Sequence, residues 1–134
     1  MQSSWEYGFK IARRASLMAI APRKNYQMGS ALINGKNVVS TGYNIYGKTH
    51  PEYTDKEDDT LLDFCRNIHA EMMALAKRRH HSINNLTMYT YRELADGTPA
   101  ESTPCLICRK VMKQFGVKRI RYIDQEGSFM EQKL

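Results

Sequence analysis

Apolar side chains recur at Phe9, Ile11, Ala12, Ala15, Leu17, Met18 and Ala19, with Arg13 and Arg14 on another side of the same stretch. That stripe predicts a helix over residues 4–20, stopped near Pro22. Two strand-like runs, 28–34 and 37–45, meet at Asn34-Gly35-Lys36. An Asn-Gly between apolar runs is a strong hairpin signal, because both residues accept positive φ. Residues 46–63 carry Pro51, Glu52, Asp55, Glu57, Asp58 and Asp59 and predict a long loop, a length usually kept for functional segments. A second helix is expected over 67–80, its buried side formed by Met72, Met73, Leu75 and Ala76. Residues 86–92 read as a strand, and 93–103, with Asp96-Gly97 and Pro99, as a loop. A third helix starts around Cys105 and ends before Gly116. Val117–Ile123 reads as a fourth strand, Gln125-Glu126-Gly127 as a turn, and 128–133 as a short final strand.

The order helix, hairpin, helix, strand, helix, strand predicts an α/β fold with a mixed central sheet of four to five strands flanked by helices. The residues after Ile123, 124–134, are too few for a crossover helix and a parallel strand, so a last strand must be antiparallel to the fourth. A chain of 134 residues fits one domain spanning 1–134. No 18-residue apolar run is present and the first residues lack a basic-then-apolar pattern, so neither a membrane partner nor a secretory signal is expected. The cysteine count, 3, is odd and two of the thiols sit in a C-x-x-C, which suits a reducing, cytoplasmic setting; Cys65 reads as a half-buried thiol.

The net charge of +6 favours anionic partners. Its clusters, Lys77-Arg78-Arg79, Arg109-Lys110 with Lys113, and Lys118-Arg119 with Arg121, fit a nucleotide phosphate, a polynucleotide backbone or ordinary solvated faces equally well.

Chemistry concentrates in two fragments, His69-Ala70-Glu71 and Pro104-Cys105-Leu106-Ile107-Cys108. They supply one imidazole, two thiols and a carboxyl group. Three such ligands leave the fourth corner of a zinc tetrahedron for water, as in catalytic sites. Cys105 and Cys108, three apart in the first turn of a helix, place both sulfurs on one side, where the positive end of the helix dipole favours thiolate. Glu71 is then free to carry protons. A structural zinc site or a redox pair is the competing reading. A structural site calls for a fourth protein ligand, for which Cys65, His80 and His81 are available, and would make the chain a non-catalytic, zinc-stabilised binding module.

Together the H-x-E and P-C-x-x-C fragments resemble the signature of the zinc-dependent cytidine and deoxycytidylate deaminase superfamily. The histidine form of the first motif looks most like the deoxycytidylate and tRNA-adenosine branches. Met28-Gly29-Ser30-Ala31-Leu32 and Ser40-Thr41-Gly42-Tyr43-Asn44 are similar to the first two strands of that family, residues 85–91 to its third, and 115–122 to the run into its fourth, so the resemblance spans roughly residues 5 to 124.

The resemblance implies a three-layer cytidine deaminase-like fold and one catalytic zinc ion held by His69, Cys105 and Cys108. It makes Glu71 the acid–base group, and brings Asn44 and the backbone N–H of Ala70 to the substrate. It also implies a homo-oligomer. The activity it implies is hydrolytic removal of the amino group from a cytosine-type base of a free nucleotide or nucleoside, deoxycytidylate leading. The alternative is a polynucleotide deaminase acting on tRNA adenosine or on cytosine in single-stranded DNA. In this superfamily an antiparallel last strand goes with enzymes of free nucleosides, whereas the histidine motif leans to the other branches. Residues 92–103 make a longer connection than in most relatives and are expected to reshape the substrate mouth. Arg66 and Arg92 are candidate phosphate partners. His50 reads as a loop residue within reach of substrate, and Tyr122 and Phe129 as core or stacking aromatics.

Overall fold

The computed structural model describes residues 3–21, 26–45, 69–78 and 85–134. The expected 46–63 loop with His50, and Cys65, Arg66, His80 and His81, lie outside the described residues. A short 3₁₀ turn, Ser3–Trp5, leads into α1 (Glu6–Ser16). Then follow β1 (Met28–Asn34), β2 (Asn37–Tyr43), α2 (Ala70–Arg78), β3 (Leu86–Arg92), α3 (Leu106–Gln114), β4 (Val117–Ile123) and β5 (Phe129–Lys133). The sheet runs β2-β1-β3-β4-β5. β1 is antiparallel to β2 and β3, β3 is parallel to β4, and β5 returns antiparallel to β4. The expected mixed sheet, its last strand antiparallel, is therefore observed.

Side-chain alternation along β1 and β3 divides the core in two. Leu32 and Met88 point to a cluster with Met72, Ala74 and Leu75 of α2, and Cys108 and Met112 of α3. Ala31, Ile33, Tyr89 and Tyr91 point the other way, to Trp5, Phe9 and Ala12. Helices thus cover both faces, α1 on one side and α2 with α3 on the other. Phe129 packs edge-on to Phe9 with centroids 4.8 Å apart, and Tyr122 packs against the α2–α3 cluster, so both aromatics serve the core.

Two glycines set how closely the helices sit. A Cβ at Gly29 would lie 2.0 Å from the Ala12 carbonyl oxygen, and one at Gly42 would lie 2.1 Å from that of Ala70. Helix backbone therefore rests directly on strand backbone at both points, which any side chain would prevent. The start of α2 is further fastened to the hairpin: Ser30 Oγ donates to the Ala70 carbonyl at 2.7 Å and Ser40 Oγ to that of Ala74 at 2.6 Å.

The pattern misleads at three places. The α1 stripe overshoots, since the helix stops at Ser16, whose hydroxyl donates to the Arg13 carbonyl at 2.5 Å. Leu17 and Met18, counted in that stripe, are more than half exposed. The chain has left the helix there so that the Ile20 N–H can reach the Asn44 carbonyl, 3.1 Å away. β2 likewise ends at Tyr43 rather than 45, because Asn44 turns to bond this incoming segment. Residues 93–103, expected as a loop, form a tight hairpin: Leu94 N–H donates to Thr98 O at 2.8 Å, and Glu93 bridges to Pro99. Gly42→Ala is expected to destabilise the fold by about 1–3 kcal/mol through overpacking at Ala70, read as a lower midpoint in thermal unfolding.

Candidate metal centre and active site

His69 immediately precedes α2, and its carbonyl accepts the Met73 N–H at 3.1 Å, so it caps that helix. Cys105 caps α3 from an extended conformation (φ −68°, ψ 163°), its sulfur accepting the Cys108 N–H at 3.4 Å. Pro104 suits the position before such a cap, and its carbonyl accepts from Arg109 Nε at 3.0 Å. Two helix N-termini thus converge, and their unpaired N–H groups favour negative charge on whatever lies between them.

At that point His69 Nδ1 stands 3.4 Å from Cys108 Sγ and 3.9 Å from Cys105 Sγ. The three ligand atoms lie within 4.8 Å of one another and are the single group of this kind among the described residues. Bonds of about 2.0–2.3 Å at tetrahedral angles would separate nitrogen from sulfur by about 3.6 Å, so the set fits zinc in size as well as in chemistry. Cys105 is exposed and Cys108 buried, which gives the group one open side.

Without metal the two thiols share one proton. Cys105 is pushed down to about 4, chiefly because the Cys108 thiol hydrogen-bonds its thiolate, with His69 adding to the effect. Cys108 is held well above the ordinary thiol range, first by that same bond and then by burial. Glu71, 3 % exposed, has its carboxyl raised by burial, partly offset by the charge of His69.

Asn44 is 6 % exposed and already occupied: its Oδ1 accepts the Met28 N–H at 2.8 Å and its Nδ2 donates to Tyr26 O at 2.7 Å. One amide hydrogen and one lone pair are left over by these bonds. Ala70 opens α2, where a first-turn N–H has no partner within its own helix. Arg92 Nε donates to the Glu101 carbonyl at 2.6 Å, which places it in the 92–103 hairpin. Arg121 is bound to Glu131 at 2.8 Å and to the Tyr89 hydroxyl, and stacks on Trp5, so it leaves the basic patch in which sequence placed it.

A family described as the cytidine and deoxycytidylate deaminase zinc-binding region matches residues 2–124. The chain belongs to that family. It is accordingly a hydrolytic deaminase that binds zinc. Among solved structures, cytidine deaminase from Burkholderia pseudomallei shares its fold at 20% identity and a TM-score of 0.65, over 99% of this chain and 93% of that one. The dCMP deaminase from cyanophage S-TIM5 does so at 22% identity and a TM-score of 0.62, over 93% and 86%. Cytidine deaminase from Mycobacterium leprae follows at 18% and 0.58, over 98% and 94%. No curated protein sequence matches.

Sequence reasoning passed over the groups that hold this deaminase site in place. Ser30 and Ser40, which tie down α2, look like ordinary strand serines, and a glycine inside a strand, here Gly42, is the signal that could have pointed to close backbone approach. Thr90 and Ser102 gave no signal, because their partners are backbone atoms distant in sequence. Cys105 is a thiolate and Cys108 a thiol at neutral pH, so zinc binding to the metal-free protein is expected to release about one thiol proton per ion. An indicator dye during zinc titration at pH 7 reads that proton, and Cys108→Ser should abolish it together with stoichiometric zinc.

Proposed function

We propose that this deaminase converts a cytosine-type base to the corresponding uracil by hydrolysis, on a free nucleotide or nucleoside, with deoxycytidylate the leading substrate. The observation that carries the reading is the meeting of His69, Cys105 and Cys108 beside the buried carboxyl of Glu71. The antiparallel β5 supports a free small substrate, through the association of that topology with nucleoside enzymes.

His69, Cys105 and Cys108 would hold the zinc, which when bound supplies Lewis acidity that brings the pKa of water from about 15.7 to about 7. Glu71 moves the protons. Its carboxylate takes one from the attacking water and passes it to the ring nitrogen next to the amine-bearing carbon. It then carries a proton to the departing amino group, so that water and cytosine yield uracil and ammonia. Burial raises the Glu71 carboxyl, which favours its holding a proton between the two transfers. The Ala70 N–H, at the positive end of α2, is suited to the ring carbonyl. Asn44 offers its remaining hydrogen to the sugar or base. The backbone bonds it already makes hold that amide in one orientation.

Glu71→Gln is expected to keep its zinc and lose about 10²–10⁴-fold in turnover, the usual contribution of a positioned acid–base group. Ammonia release over cytosine, adenine and guanine compounds, as bases, nucleosides, nucleotides and oligonucleotides, tests the substrate. Turnover of oligonucleotides alone, with steep salt dependence, would replace this reading with that of a polynucleotide deaminase.

A further inference from the structure

β3 and β4 pair only as far as Tyr89 and Arg121, and beyond that register the two strands part. Ser102 fills the fork. It is 1% exposed, and each of its polar atoms has a partner. Its N–H donates to the Ile123 carbonyl at 2.8 Å, and its hydroxyl donates to the Thr90 carbonyl at 2.9 Å while accepting the Ile123 N–H at 2.9 Å. Its own carbonyl accepts from Thr90 Oγ1 at 2.8 Å. One side chain thus bridges the backbones of two strands at the place where their own ladder fails.

Three residues later the chain reaches Cys105. In between, Pro104 is buried and its carbonyl is held by Arg109 of α3. At its other end the 92–103 hairpin is pinned to α1. Glu93, 4% exposed, accepts from the Tyr91 hydroxyl at 2.6 Å and from Arg13 Nε at 3.1 Å. The hairpin is therefore fixed at both of its roots, and the second root lies next to the metal-ligand pair.

We propose that Ser102 is a positioning residue for the zinc centre: by locking the return of the 92–103 hairpin into the β3–β4 fork, it sets where Cys105 and the start of α3 stand relative to His69. This rests on the reading of His69, Cys105 and Cys108 as the zinc ligands. The hairpin then acts as a buttress under the Cys105 side of the centre. Ser102→Ala removes the bridging hydroxyl and leaves the Ile123 N–H and the Thr90 carbonyl without it, freeing the ligand turn to shift. Groups that orient metal ligands typically change metal affinity 10–100-fold when lost, and that range is expected here.

The test measures the zinc dissociation constant by chelator competition, and the visible absorption of the cobalt(II)-substituted protein, for the full chain and its variants. Ser16→Ala is the control. It removes another buried hydroxyl, on the α1 side of the sheet, and should lower the unfolding temperature without altering metal affinity. Ser102→Ala should weaken zinc binding about 10–100-fold and shift the cobalt bands. If it lowers the unfolding temperature while affinity and spectrum stay as in the wild type, the role is structural only and the proposal fails. Should Ser102→Ala not fold, Thr90→Val decides instead, since it removes the bonds of the Thr90 hydroxyl to the Ser102 carbonyl and hydroxyl while leaving the Ser102 side chain in place. A weakened zinc affinity supports the proposal, and an unchanged one overturns it. Wild-type protein that binds zinc but deaminates nothing would sink the functional reading while leaving this test standing; wild-type protein that binds no zinc would sink both.

Discussion

Everything at the centre depends on delivering two helix starts, from opposite ends of the sequence motif, to one place with sub-ångström tolerance. Helix α2 brings His69 and Glu71, helix α3 brings Cys105 and Cys108, and neither helix is longer than nine residues. Short helices are marginal by themselves and take their stability and position from packing. Their placement must therefore come from the sheet. For α2 the device is contact without side chains: Gly42 lets the strand touch the Ala70 carbonyl, and Ser30 and Ser40 tie the first turns to the hairpin. For α3 it is the hydrogen-bonded fork around Ser102, followed by the Arg109–Pro104 bond.

Exposure varies within the centre. Glu71, in the first turn of α2, is buried, so that desolvation raises its carboxyl, and Cys108 is buried too, while Cys105 caps α3 at the surface. A proton carrier needs a dry wall and a substrate needs an entrance. Under the proposed mechanism the buried Glu71 would supply the first and the exposed side at Cys105 the second. The pair of dipoles also bears on charge: the positive ends of both helices favour the negative charge that the Cys105 thiolate carries.

Much of this was legible in the sequence, and the reason is local. Hairpin, helix and strand patterns are set by residues within a turn of one another, so β1–β2 at Asn34-Gly35, the α3 cap at Cys105 and the antiparallel return of β5 could be read in advance. His69 and Cys105, 36 positions apart, come together differently, through the ligand chemistry of their two fragments and the resemblance of the pair to one family signature. What escaped was set at long range. Leu17 and Met18 continue the α1 stripe faithfully, yet the chain leaves the helix to bond Asn44. Residues 93–103 carry turn residues, and nothing local tells that their end re-enters the sheet at Thr90 and Ile123. Arg121 looked like one more surface cation until Trp5, Tyr89 and Glu131, remote in sequence, closed around it.

The 92–103 hairpin bears on how the connection between β3 and α3 is to be understood. A longer connection beside an active site invites the idea of a flexible lip that reshapes the entrance. The bonds point instead to a stiff element. Glu93 is buried and paired at one root, and Ser102 is buried and saturated at the other. The tip is a closed turn of its own, in which the Leu94 N–H donates to the Thr98 carbonyl and the Gly97 N–H to that of Leu94. Under the proposal made for Ser102, the roots of the hairpin steady the turn that carries the cysteine pair, and the closed tip stands apart from that task.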